Sequence, residues 1–240
     1  MNDYELKVLK DVDRWQRLIL QGPSSLNHHI KNLNEKFNTL IPDNIHKALT
    51  SMHKHLCRAV IFGSKITTEK WRFEGNLQLR EAAVRKKIIF YAVAAAAEGG
   101  ITGVGGIFLG LVDFPLLVGI QIKLLFEMAS IYGFRTSDYK ERFFLLYVFL
   151  LSFSSHEKRR EVFLKIKNWN NFSNQLPDDI HELDWRTFQE EYRDYTEIVK
   201  LPQFIPIIGA PFGAVINFQL TSKLGKDAMN AYRMRWNKLM

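Results

Sequence analysis

The chain has 240 residues, of which 47% are hydrophobic and 13% aromatic, and its formal net charge is +8. That length favours one domain, and the apolar content excludes a disordered chain because it supplies enough surface for a core. A single cysteine, Cys57, excludes an internal disulfide framework.

The first residues, Met1-Asn2-Asp3-Tyr4-Glu5, are acidic and then amphipathic. They lack the basic start and apolar stretch of a signal peptide, so an intracellular, cytoplasmic location is expected. From Tyr4 to Leu20 the apolar positions Tyr4, Val8, Val12, Trp15 and Ile19 recur at helical spacing, and Gly22-Pro23 should stop the helix. A second helix is expected through Leu26, Ile30, Leu33, Phe37 and Leu40. A third should begin at Pro42, carry Ile45, Leu49, Met52, Leu56 and Ala59 on one stripe, and end at Gly63. The stretch from Ser64 to Gly75 reads as a loop.

The longest helical run begins at Asn76 and passes through Ile88-Ile89-Phe90-Tyr91 to Ala97-Glu98, where the glycines from Gly99 to Gly106 should break or loosen it. The next helix is expected from Asp113, near the N-cap, with Pro115 in the first turn, to Tyr132-Gly133. Further helices are expected over roughly 138–153, 156–168, 185–200, 212–224 and 226–238. Ser154 and Glu157 have the spacing of a capping box. Residues 168–184, rich in Asn, Asp and Pro, read as a surface loop. Period-two alternation is almost absent, so the fold class is all-α.

Between Lys87 and Asp113 the one charged residue is Glu98. Residues 88–112 are about as long as a membrane span, but the glycines and the central carboxylate argue against a simple one. Three readings stay open: a helical hairpin buried in a soluble core, a re-entrant or interfacial hairpin, and a true pair of spans. The slightly negative mean hydropathy disfavours many spans. The residues alone favour the buried hairpin, with interfacial insertion close behind it.

Several constellations could carry chemistry. Glu98 and Asp113, with Thr102 or Tyr132 nearby, could form a carboxylate site for acid–base or hydrolase-like work. Caps and ion pairs are the commoner reason for such residues. His53 and Cys57 share a helix face with His46, yet one helix cannot readily surround a metal ion, so no metal is expected. The glycine cluster lacks the Lys-Ser/Thr of a phosphate-binding loop, and no Gly-x-Ser-x-Gly is present, so no cofactor is expected. Gly209, Gly213 and Asn217 lie four apart and would make one small helical face. Lys223, Lys226, Arg233 and Arg235 flank an apolar block from Leu201 to Phe218. That pattern suits an anionic lipid surface, and equally an ordinary solvated helix. The basic charge also admits nucleic acid, but no recognition module is present, so none is expected as a partner.

Two blocks resemble one known family. The first runs from Ala97-Glu98-Gly99-Gly100-Ile101-Thr102-Gly103-Val104-Gly105-Gly106 through Leu111-Val112-Asp113-Phe114-Pro115 to Ala129-Ser130-Ile131-Tyr132-Gly133-Phe134. The second is Phe204-Ile205-Pro206-Ile207-Ile208-Gly209-Ala210-Pro211-Phe212-Gly213-Ala214-Val215-Ile216-Asn217. Their order and spacing are similar to those of the EcsC family, over most of the chain from Asn34 onward. The resemblance implies one domain over 1–240, with residues 1–33 as an N-terminal helical extension and 34–240 as a core carrying the motifs at 97–134 and 204–217. It implies a membrane-associated accessory of an ABC-type transport or secretion system, with the membrane surface or transporter subunits as partners and lipid as a possible ligand. It carries over no catalytic residue. On this reading residues 88–125 and 201–218 would face lipid or partner, and Gly99, Gly103, Gly106, Gly209, Gly213, Asn217, Lys223 and Arg233 would make the contact.

Overall fold

The Asn2 side chain accepts from the Glu5 amide at 2.9 Å, and the Glu5 carboxylate accepts in return from the Asn2 amide at 2.8 Å. This capping box opens the first helix of a computed structural model that describes residues 2–21, 75–102, 114–154, 156–182 and 210–237. The expected second and third helices, with His53 and Cys57, lie outside the described residues. So do the turn of the glycine-rich hairpin, with Gly103, Gly106 and Asp113, the helix expected over 185–200, and Gly209.

The described elements are α1 (Asp3–Leu20), α2 (Leu77–Thr102), α3 (Phe114–Tyr132), α4 (Tyr139–Phe153), α5 (His156–Lys167), the short α6 (Trp169–Ser173), a 3₁₀ turn (Ile180–Glu182) and α7 (Ala210–Asn237). Among the described residues there is no strand, as the missing alternation predicts. On α1 the expected stripe turns inward: Val8, Val12 and Ile19 are buried, and Tyr4 and Trp15 pack against the core. Asn76 accepts from the Leu79 amide and starts α2, while Asp138 accepts from the Lys140 amide and starts α4. Gly133 ends α3 with φ +90°, and the amides of Gly133 and Phe134 bond back to the carbonyls of Ser130 and Ala129. That pair of bonds is a Schellman cap, which needs the left-handed conformation that glycine adopts without strain.

Four expectations need correction. α2 continues through Gly99 and Gly100 to Thr102 instead of breaking at the glycines. Two glycines cost an already long helix roughly 1 kcal/mol each, too little to end it in its last turns. The two helices expected over 212–238 are one, α7, running straight through Gly225. Residues 168–184 are not a plain loop: Trp169 is buried in the core, and Phe172, Leu176 and Ile180 pack against it. As for the expected capping box at Ser154, that residue instead closes α4, its amide bonding to the Leu150 carbonyl, and the Glu157 side chain lies outside the described residues.

α7 is the central helix, touching α1, α2, α3, α4 and α5. It runs antiparallel to α2, with Arg233 on Glu81, Gly225 on Ile88 and Asn217 on Ala95. It runs parallel to α3: Gln121 donates to Thr221, and Tyr132 stacks on Tyr232 with ring centroids 5.0 Å apart. α4 is antiparallel to it, with Tyr232 on Glu141 at one end and Lys223 on the Ser152 carbonyl at the other. α1 is antiparallel as well, with Asp11 beside Arg233 and Trp15 on Asp227.

Gly225 permits the α2–α7 approach. A Cβ there would lie 2.6 Å from Cγ1 of Ile88, and its two other nearest neighbours are atoms of the same branched side chain. A β-branched side chain in a helix has one strongly preferred rotamer and cannot swing away. Gly225→Ala is therefore expected to destabilise the fold by about 1–2 kcal/mol, after crediting alanine's better helix propensity. In an Ile88→Ala background the same change should become neutral or favourable. Denaturant titration of the four chains checks this, and a Gly225→Ala cost that persisted without Ile88 would show that the close approach is not its cause.

Candidate functional site

Among the described residues four acidic residues are buried as a whole: Glu81, Glu127, Glu141 and Asp227. Each is held by at least one cation and an aromatic donor. Glu81 accepts a two-pronged bond from Arg233, at 2.7 Å from Nε and 2.6 Å from Nη2, together with bonds from the Tyr4 hydroxyl and Arg85. Asp227 accepts from Trp15 Nε1 at 2.8 Å and from Arg159 at 3.0 Å, with Lys223 at 3.4 Å. Glu141 accepts from the Tyr232 hydroxyl and from Arg235, both at 2.7 Å, and the Arg235 guanidinium lies over the rings of Phe134 and Phe144. Glu127 accepts from the Tyr91 hydroxyl at 2.6 Å and pairs with Lys87 at 2.8 Å.

Burial sets the electrostatics of this interior. It raises the Glu141 carboxyl, against the opposing charge of Arg235. It pushes the Tyr232 and Tyr132 hydroxyls well up, with the charges of Glu141 and Glu81 respectively adding to the effect. It lowers the Lys223 ammonium, against the pull of Asp227. Carboxylates that already accept from two to four donors are committed to joining helices. They bind α7 to α1, α2, α4 and α5, and α2 to α3.

This interior takes up several residues that the sequence offers as functional. Arg233 is not a surface cation: it is 5% exposed, with its guanidinium on Glu81. Lys223 donates to the Ser152 carbonyl and to Asp227. Asn217 donates its side-chain amide to the Ala95 carbonyl and clips α7 to α2. Tyr132 sits beside Glu81, Arg233 and Tyr4. Glu98 lies seventeen residues beyond Glu81 on the same helix, about 25 Å further along it, so Tyr132 and Glu98 are not brought together. The Glu98 carboxylate oxygens are shielded from solvent. Among the described residues no group of three or more His, Cys, Asp or Glu side chains could hold a metal.

The second notable region is at the opposite end of α2 from Glu81. α1 ends five residues past Trp15, and α4 ends one residue past Ser152, so both stop near the level of Lys223. Among the described helices α2, α3 and α7 continue beyond that level, α7 by about 20 Å to Ala210. On this projecting part and its base, Ile89, Phe90 and Val93 of α2, Leu116 of α3, and Val215 and Phe218 of α7 are between 38% and 62% exposed. Scattered exposed leucines, Leu6, Leu9 and Leu18 on α1, Leu79 at the start of α2 and Leu164 on α5, are ordinary, but six large apolar residues collected from three helices at one end are not. The second half of α2 is apolar on two sides. Ile88, Ala92 and Ala95 face the core, while Ile89, Phe90 and Val93 face out. No helix among the described residues is long and apolar enough to cross a membrane.

The outward face was legible as an apolar run that goes all the way round its helix. The interior pairs were harder to find. Their clue is a lone acid in an apolar or basic helix, such as Asp227, the one acid of α7, or Glu141 just ahead of Phe143-Phe144-Leu145-Leu146.

What these elements define is an all-α domain with a charge-paired interior and an apolar projecting end. The sequence profile of the EcsC protein family matches residues 6–236. The chain is 39% identical over 236 residues to Protein EcsC of Bacillus subtilis (strain 168), covering 98% of this chain and 97% of that protein. It is also 29% identical over 148 residues to a second protein of that organism, Uncharacterized protein YdbA, covering 59% of this chain and 52% of YdbA. No solved structure matches. The chain belongs to the EcsC protein family.

Proposed function

We propose that this chain is a peripheral membrane accessory protein that seats the projecting end of α2, α3 and α7 in the cytoplasmic interface of a membrane. There it would hold lipid, or a membrane subunit of an ABC-type transport or secretion system. The observation that carries this reading is the set of six exposed apolar side chains on the projecting helices. Large apolar side chains exposed together at one end of a bundle suit an interaction surface. The sequence that joins the helices there supports the reading. Residues 103–112, which follow α2, and 201–209, which precede α7, carry no charge at all. An apolar wedge of this kind lies in an interface without spanning it, which fits the absence of a span among the described helices.

Fractionation of the natively expressed protein tests the proposal. The protein is expected in the membrane pellet at low ionic strength, and to remain there in part after a high-salt wash because the apolar contact is not screened. Recovery wholly in the soluble fraction would contradict it.

A further inference from the structure

Three exposed lysines ring the base of the projecting end. Lys86 lies one turn from Phe90 on α2, Lys123 lies two turns from Leu116 on α3, and Lys226 lies two turns from Phe218 on α7. The helix registers bring them to one height. Ile88 against Gly225 puts Lys86 level with Asp227, one residue from Lys226. Gln121 on Thr221 puts Lys123 level with Lys223, three residues from Lys226. The three ammonium-bearing positions thus fall within about 6 Å along the bundle axis. The exposed apolar side chains of the projecting part start at this height, with Ile89 and Phe90, and continue through Val93, Phe218, Leu116 and Val215.

No acid on these helices offsets the ring. Of the four acids in the described parts of α2, α3 and α7, Glu81, Glu127 and Asp227 are buried in the pairs above, and the carboxylate oxygens of Glu98 are shielded. None of the three lysines forms an ion pair among the described residues. Some exposed cations elsewhere are paired, as Arg17 is on Asp13 and Lys158 beside Glu161.

We infer that Lys86, Lys123 and Lys226 form a headgroup collar that selects an anionic bilayer and orients the protein end-on, with the exposed apolar side chains of α2, α3 and α7 below the collar. The inference rests on the proposed membrane reading and deepens it. Exposed apolar side chains on the projecting part and cations at one height above them match a bilayer's own order, acyl chains and then phosphates. A protein partner would require no such common height.

Co-sedimentation of the full chain with vesicles of phosphatidylcholine alone, and with added phosphatidylglycerol, tests it. The parent chain is expected to prefer the anionic vesicles. The triple variant Lys86→Gln/Lys123→Gln/Lys226→Gln should bind them about a hundredfold more weakly, each cation near an anionic surface being worth roughly a factor of five. The control Lys7→Gln/Lys10→Gln/Lys167→Gln, which removes the same charge from α1 and α5, should lose less than fivefold. Equal loss in both variants would overturn the collar, since net charge alone would then account for binding. Equal binding of the parent chain to both vesicle types would overturn the collar and leave the membrane reading standing. Binding to neither would overturn both.

Discussion

Replacing Arg233 with methionine is expected to cost about 3–5 kcal/mol of folding stability, because it leaves Glu81 as a buried carboxylate without its two-pronged partner. Domains of this size are typically stable by about 5–15 kcal/mol, so the variant should lose a large fraction of its stability. Arg85 is half exposed and reaches one oxygen only, so it cannot take over both bonds. The loss should be specific to the orphaned charge. Adding Glu81→Leu to Arg233→Met should recover most of it, because an apolar pair of similar volume fits a buried site at little cost. Urea denaturation followed by far-UV circular dichroism gives all four stabilities. If the double variant were no more stable than Arg233→Met, packing of the arginine stem would be the main contribution, and the ion pair would not be what holds α7 to α2.

A second large effect is expected at the projecting end. Phe90→Glu, Val93→Glu and Phe218→Glu together should weaken membrane binding at least a hundredfold while changing folding stability by under about 1 kcal/mol, as exposed substitutions usually do. Fully burying such a side chain is worth about 1.5–3 kcal/mol, so half of that for three residues is about 2.3–4.5 kcal/mol, comparable to the roughly 2.7 kcal/mol of a hundredfold loss before the cost of placing three carboxylates at an anionic surface is added. Vesicle co-sedimentation beside thermal melting separates the two readouts. Unchanged binding with an unchanged melt would mean that another surface meets the membrane. A collapsed melt would mean that these side chains are covered in the folded protein, contrary to their exposure.

Local rules of sequence made much of the fold readable. The stripe of Val8, Val12 and Ile19 and the stop at Gly133 each depend on contacts within a few residues, and each appears where its pattern predicts. The misreadings came from contacts distant in sequence. Gly225 looks like a break, but it lies against Ile88, whose position no window around residue 225 contains. Trp169 sits among loop-forming residues, yet its ring packs against Phe144 and carries the segment into the core. Arg233 looks like one of several terminal cations, because its partner Glu81 lies 152 residues away. The outward apolar face of α2 shows the same limit. Residues 88–97 are apolar throughout, and which side turns out depends on where α7 packs.

The central claim, that the projecting end of α2, α3 and α7 enters a membrane interface, is tested most directly by placing an environment-sensitive fluorophore at the tip. Val215→Cys in a Cys57→Ser background gives one label there, and Lys10→Cys gives a matched label on α1 away from it. On addition of anionic vesicles, the label at 215 should shift to the blue and become protected from an aqueous quencher, while the label at 10 stays as it was. No change at 215, or the same change at both positions, would contradict the account.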